Sequence, residues 1–164
     1  MARLILIGLI ACVSACGFTP VYKQDSMLAT ELAAIEVAPI RLKDPKQARA
    51  GQLLRQALRE TLNPSHQATI AKYLLELELE TTSNPIIVVR TKEIGRYNTN
   101  LKGNYRLNQN NTSLSTGTSH VISSYNAAIS DYATYASKQD SIHRGVEEMA
   151  EDVRMRLIRY FQKK

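Results

Sequence analysis

Residues 73–80, YLLELELE, set Tyr73, Leu75, Leu77 and Leu79 in alternation with Leu74, Glu76, Glu78 and Glu80. A period of two is that of a β-strand, whose successive side chains leave opposite faces of the sheet. One face is apolar and the other increasingly acidic, so the segment reads as a strand with one wet side. Its apolar side needs covering elements from elsewhere in the chain.

Downstream, residues 81–85 interrupt the alternation and residues 86–89 resume an apolar run. One reading of that run is the same strand continuing past a bulge or kink. Residues 91–95 look like a hairpin tip. Residues 96–107, RYNTNLKGNYRL, alternate again: Tyr97, Thr99, Leu101, Gly103, Tyr105 and Leu107 share one face, and Arg96, Asn98, Asn100, Lys102, Asn104 and Arg106 the other. Residues 108–113 are rich in turn formers. Residues 114–125 are Ser/Thr-rich, with Thr118, Val121 and Tyr125 for bulk, and suit a last strand.

Two segments carry the helical period. Asp44-Pro45 opens the first as an N-cap followed by a proline at the first position. Ala50, Leu53, Leu54, Ala57, Leu58 and Leu62 then form a single apolar stripe. Asn63-Pro64 closes it, with Asn63 expected in the left-handed cap conformation. The second helix spans residues 132–162, with Ile142, Val146, Met149, Ala150, Val153, Leu157, Tyr160 and Phe161 on one stripe. Its acids precede its bases, which suits the helix dipole and allows pairs such as Glu151 with Arg154.

Upstream, residues 31–42 place Ala33, Ile35 and Val37 on an alternating face before Pro39, and read as a first strand at a sheet edge. Residues 17–30 have no period and read as a tether, in which Phe18 and Tyr22 are candidates to pack on the domain or on a partner. The element order is therefore β-α-β-β-β-α. The expected fold class is α+β, a two-layer domain with two amphipathic helices on one face of a four-stranded sheet.

The amino terminus has one charge at Arg3, an apolar run from Leu4 to Val13, and then Ser14-Ala15-Cys16-Gly17. The run is too short for the roughly 20 residues that span a bilayer as a helix, and the pattern is that of an export signal. Small residues directly before a cysteine resemble the lipobox of bacterial lipoproteins. That resemblance implies removal of residues 1–15, lipidation of the Cys16 thiol and acylation of the new amino terminus. Several acyl chains anchor durably where a single one is marginal. Gly17 in place of an acidic residue implies sorting to the outer membrane.

Removing the first 15 of 164 residues leaves 149, one domain by length, and takes the formal charge from +6 to +5. Cys12 leaves with the signal and Cys16 carries lipid, so no disulfide is expected. A modest basic excess on an exported protein points to anionic lipid or glycolipid, and nucleic acid is not an expected partner. His66, His120 and His143 are dispersed without the spacing of a helical metal site, and no G-x-S-x-G elbow is present. Neither an enzyme nor a cofactor is expected.

The lipobox followed by Gly17-Phe18-Thr19-Pro20-Val21-Tyr22, the pair Ser124-Tyr125-Asn126 and Tyr132-Ala133-Thr134, and the ending Ala150-Glu151-Asp152-Val153-Arg154-Met155-Arg156-Leu157 through Tyr160-Phe161 together resemble the LptE family in its alphaproteobacterial form. The resemblance covers nearly the whole of residues 16–164: a lipidated tether over 16–30 and one LptE-like domain over 31–164. It implies a mixed sheet with the first and last strands adjacent. It also implies a lipid-anchored protein on the periplasmic side of the outer membrane that plugs and helps assemble the LptD β-barrel and assists delivery of lipopolysaccharide. The alternative is a stand-alone periplasmic lipoprotein that binds a glycolipid or scaffolds the envelope.

Arg90, Lys92, Arg96, Lys102 and Arg106 form a candidate lipopolysaccharide platform, since guanidinium and ammonium groups recognise phosphate. A solvated face, or contact with acidic groups of a barrel lumen, is the competing reading. Tyr97 and Tyr105 match the inward face. Tyr132 and Tyr135 are candidates either for partner contact or for docking the start of the last helix.

Overall fold

A computed structural model describes residues 26–87 and 95–163. Its elements are α1 (Ser26–Ala33), β1 (Ile35–Val37), β2 (Arg41–Leu42), a 3-10 turn (Pro45–Gln47), α2 (Ala48–Leu62), β3 (Tyr73–Ile87), β4 (Arg96–Gln109), β5 (Thr112–Asn126) and α3 (Asp131–Gln162). Three long antiparallel strands, β3, β4 and β5, form the sheet, and β1 and β2 both pair in parallel with β3 along its outer side. The architecture is a mixed α+β two-layer domain with its helices on one face.

The alternation that reads as strand on both sides of the hairpin is the packing pattern. Leu75, Leu77 and Leu79 of β3 face Leu107, Tyr105 and Gly103 of β4 in register, and together with Leu101 and Val121 they form the floor of the core. Leu54, Leu58 and Leu62 of α2 and Val146, Met149, Val153 and Leu157 of α3 close it from above. The two layers meet closely because two glycines are aligned. A Cβ at Gly103 would lie 2.7 Å from Met149 Sδ, and one at Gly145 would lie 2.6 Å from Leu101 Cδ1. Each glycine lets the facing layer drop into the space that a side chain would fill.

Caps and turns hold the ends. Asp44 accepts from the Lys46 amide at 3.0 Å and Pro45 follows it. Ser130 caps α3 in the same way, through the Ala133 amide. Asn110 and Asn111, with φ of 48° and 63°, make the two-residue turn between β4 and β5.

Four expectations are corrected. Residues 26–33 form helix α1, whose Leu32 is buried in the core, so the expected tether overlaps α1 and the first strand begins only at Ile35. The short apolar spacing of 31–37 holds a helix end and a strand start in succession, which a single alternating template cannot separate. Asn63 has φ −133° and ψ 67°, outside the left-handed region. Its side chain instead bonds Gln67 twice, at 2.9 Å and 3.0 Å, and the left-handed residue is His66, at φ 49°. Thr118 lies on the opposite face from Val121, so it supplies no core bulk. Finally, the first and last strands stand on opposite edges of the sheet. Strand β3 runs unbroken through Pro85, with the register shift falling between Pro85 and Ile87.

Candidate functional surface

The helices cover one face of the sheet, and the other is open across β3, β4 and β5. Its chemistry follows from the residues that alternate with the core. Glu76, Glu78 and Glu80 of β3 stand beside Arg106, Asn104 and Lys102 of β4, which in turn stand beside Thr116, Thr118 and His120 of β5. On the outer side of the glutamates, Arg41 is 4.0 Å from Glu76, and Lys43 is 2.9 Å from Glu80. An acidic row is thus flanked on both sides by cations.

The hydrogen bond from the Lys43 ammonium holds the Glu80 carboxyl below the usual carboxylate range; burial opposes it, and the charges of Lys43 and then Lys102 add smaller contributions in the same direction as the bond. The same bond and charge raise the Lys43 ammonium. Amides and hydroxyls complete the surface. Asn108 Nδ2 donates to Glu76 at 3.0 Å, Thr118 Oγ1 to Asn104 at 3.0 Å, and Ser124 Oγ to Asn98 at 2.7 Å. Side chains tied to one another in this way present a fixed pattern of donors and acceptors. Ile122 and Leu74 are exposed apolar residues at opposite corners of this face.

The described candidate cations are spaced along β4. Lys102 and Arg106 share the open face four residues apart, roughly 13 Å along the strand. Arg96 begins β4, roughly 20 Å from Lys102, where it lines a hollow with Ser124, Asn126, Ser137, Asp140 and Arg144. Arg90 and Lys92 lie outside the described residues, as do Cys16, Phe18 and Tyr22. Arg41 and Lys43 were missed in the sequence because they sit on and just after a strand of two residues, too short for a period.

The aromatic candidates divide. Tyr105 is buried, and that burial pushes its hydroxyl upward. Tyr97 is half-buried and stacks on Tyr125 with centroids 5.3 Å apart, and the Tyr125 hydroxyl meets Ser83 at 3.0 Å. Tyr132 and Tyr135 in the first turns of α3 are 81% and 61% exposed, and Ile129 just before them is 86% exposed. Tyr135 also lines a cavity of about 400 Å³ with Gln47, Thr81, Thr99 and Ile142. Among the described residues, no three His, Cys, Asp or Glu side chains come together in a metal-binding group, and no helix is long and apolar enough to cross a membrane.

This geometry has known counterparts. Uncharacterized protein RP188 of Rickettsia prowazekii (strain Madrid E) is 30% identical over 174 residues, a match that spans the whole of both chains. The chain belongs to the RP188 family. No family model matches it. A candidate lipoprotein of Caulobacter crescentus CB15 has the same fold, with a TM-score of 0.66 at 22% identity over 85% of this chain and 98% of that one. The rare lipoprotein B of Shewanella oneidensis is similar with a TM-score of 0.51 at 10% identity, over 74% of this chain and 93% of that one. The likeness of this chain to these two structures is one of fold.

Proposed function

We propose that this chain is a non-enzymatic, lipid-anchored protein of the outer membrane that seats inside the LptD β-barrel, assists its assembly and helps deliver lipopolysaccharide. The single observation that carries this reading is the uncovered sheet face. A face of three strands whose side chains are polar, mutually bonded and nearly balanced in charge is suited to a wet, polar lumen, as the interior of an outer-membrane barrel is. The lipobox at Ser14-Ala15-Cys16 supplies the tether, and the fold shared with proteins named as lipoproteins supports an envelope location.

In this reading Lys102 and Arg106 are the described residues placed to meet lipid A phosphates, although each stands beside a glutamate that competes for its charge. The test is a mild-detergent pulldown of the tagged full-length chain from its own outer membranes, followed by mass spectrometry. A large β-barrel recovered in one-to-one amount is the expected result. Recovery of the chain alone, or with periplasmic partners only, overturns the assignment in favour of a free glycolipid-binding lipoprotein.

A further inference from the structure

At one end of the core, four elements change from apolar to polar together. The inward face of β3 runs Leu75, Leu77 and Leu79 and then Thr81, and that of β4 runs Leu107, Tyr105, Gly103 and Leu101 and then Thr99. On α2 the buried stripe Leu62, Leu58, Leu54 and Ala50 steps back three residues to Gln47 in the 3-10 turn. On α3 the stripe Met149, Val146 and Ile142 steps back four residues to Lys138 and three more to Tyr135. These spacings keep each polar residue on the core-facing side of its element. Gln47, Thr81, Thr99 and Lys138 thus meet around the cavity of about 400 Å³ that Tyr135 also lines. Polar groups at core-facing positions break the pattern that stabilises the rest of the domain, and such departures concentrate at functional sites.

Two residues of this wall hold an unsatisfied group. The Gln47 Nε2 donates to the Thr81 carbonyl at 2.9 Å, which fixes the orientation of the amide. Its Oε1 and the Thr81 Oγ1 are both buried without a partner among the described residues. Thr99, by contrast, is bonded to Ser141, which donates to the Lys138 carbonyl and so steadies the wall on that side. Three cations, Lys46, Arg49 and Lys138, line the cavity against one carboxylate, Asp44, which already accepts from the Lys46 amide. Ile142 and the ring of Tyr135 supply an apolar side.

We propose that this cavity binds a sugar carrying an acidic group, phosphate or carboxylate. An amide oxygen needs a donor, which a sugar hydroxyl provides, and the same hydroxyls exchange bonds with Thr81. The acidic group meets Arg49 and Lys138. Inorganic phosphate offers mainly acceptors and does little for the Gln47 oxygen, whereas a neutral sugar leaves the cations unused. The volume falls within the roughly 300–1,000 Å³ of small-molecule sites. A glycolipid headgroup and a free sugar acid share this chemistry. The site lies on the helix side of the sheet, away from the open face, so it goes beyond the seating proposed above. A chain that seats in a barrel but ignores such sugars, or the reverse, tells the two readings apart.

The test is a titration of the isotope-labelled full-length chain in detergent micelles with glucose 6-phosphate, glucuronate, glucose and inorganic phosphate, read by the NMR shifts of backbone amides. The two acidic sugars are expected to move the amides of Gln47, Thr81 and Lys138 and to bind about tenfold more tightly than glucose. Inorganic phosphate is expected to leave Gln47 and Thr81 in place. Arg49→Ala combined with Lys138→Ala should bring the acidic sugars down to the level of glucose. Thr81→Val should weaken every sugar about three- to tenfold, yet raise the thermal midpoint of the unliganded chain, because it removes a hydroxyl that has no partner until the ligand arrives. A merely structural threonine would lose stability instead. Added lipopolysaccharide separates the sources: displacement of glucose 6-phosphate from these amides identifies a glycolipid headgroup, and retention identifies a free sugar acid. The proposal is overturned if neither acidic sugar moves these amides, if inorganic phosphate moves them as far, if the shifts fall at Lys102 and Arg106 instead, or if the variants bind as the unsubstituted chain does.

Discussion

The Tyr73 hydroxyl donates to Glu31 at 2.7 Å and so ties β3 to helix α1. Its ring lies 5.2 Å from that of Phe161 near the end of α3. Replacing Tyr73 by Phe keeps the ring and removes only the bond. The hydrogen bond to Glu31, followed by burial and the charge of that carboxylate, pushes the Tyr73 hydroxyl up to about 12 from its ordinary 10.0. Because the folded value lies above the unfolded one, the associated stability is fully present below pH 10 and is lost as the pH rises through about 12. Two units correspond to at most about 2.7 kcal/mol, and linkage places about 1.4 kcal/mol of that loss below pH 11. The hydroxyl end lies toward the surface, and solvent screening reduces that portion to about 1 kcal/mol. At pH 8, Tyr73→Phe should therefore lower stability by about 1–2 kcal/mol, read by urea unfolding with circular dichroism. At pH 11 the gap between the two proteins should be about 1 kcal/mol smaller, with other tyrosines and lysines cancelling between them. A gap of the same size at both pH values would refute the reasoning.

Two further substitutions probe the core. Leu58 of α2 is fully buried, so Leu58→Ala should cost about 2–5 kcal/mol by leaving a cavity between α2 and the sheet, seen as a lower urea midpoint with an unchanged slope. Thr99 and Ser141 form a buried hydroxyl pair at 2.8 Å, and Ser141 also donates to the Lys138 carbonyl at 2.8 Å. Ser141→Ala orphans the Thr99 hydroxyl and should cost about 1–3 kcal/mol. Thr99→Val should cost less, because Ser141 keeps its carbonyl partner, and the double variant should recover part of the Ser141→Ala loss. A double variant whose thermal midpoint falls by the sum of the two singles would show that the hydroxyls do not act as a pair.

The long strands and both long helices were legible because their periods run for many residues. Tyr73 to Glu80 repeats its alternation often enough that only one pairing buries the leucines, and the same holds for Thr99 to Leu107. What was not legible was short or depended on distant partners. Helix α1 has eight residues and buries chiefly Leu32, so its pattern blends into that of β1. Whether β1 lies beside β3 or β5 is decided by where the 63–72 connection delivers Tyr73, and no local spacing records that. The spacing of the described cations has a similar cause: Arg96, Lys102 and Arg106 are neighbours in sequence, but an extended strand spreads them out. The flanking cations Arg41 and Lys43 come from a remote segment and reach Glu76 and Glu80 only once β2 has docked.

That arrangement bears on how the open face meets a partner. The acidic row Glu76, Glu78 and Glu80 is matched by Arg41 and Lys43 on one side and by Lys102 and Arg106 on the other, so the face is close to neutral while the chain as a whole is basic. A neutral face exerts little long-range pull on phosphate, whose attraction falls off over about 8–10 Å in ordinary salt. What it offers is a set of short, oriented donors and acceptors that act only at contact. Such a surface is read by a partner of complementary shape and polarity rather than by a diffusing anion. If lipopolysaccharide meets this face, the encounter is therefore expected to depend on how far the neighbouring glutamates offset the charge of Lys102 and Arg106. Glu76→Gln or Glu80→Gln should then strengthen lipopolysaccharide binding, whereas reversing the charge of Lys102 and Arg106 should weaken it. Equal binding by all of these variants would place the ligand elsewhere on the molecule.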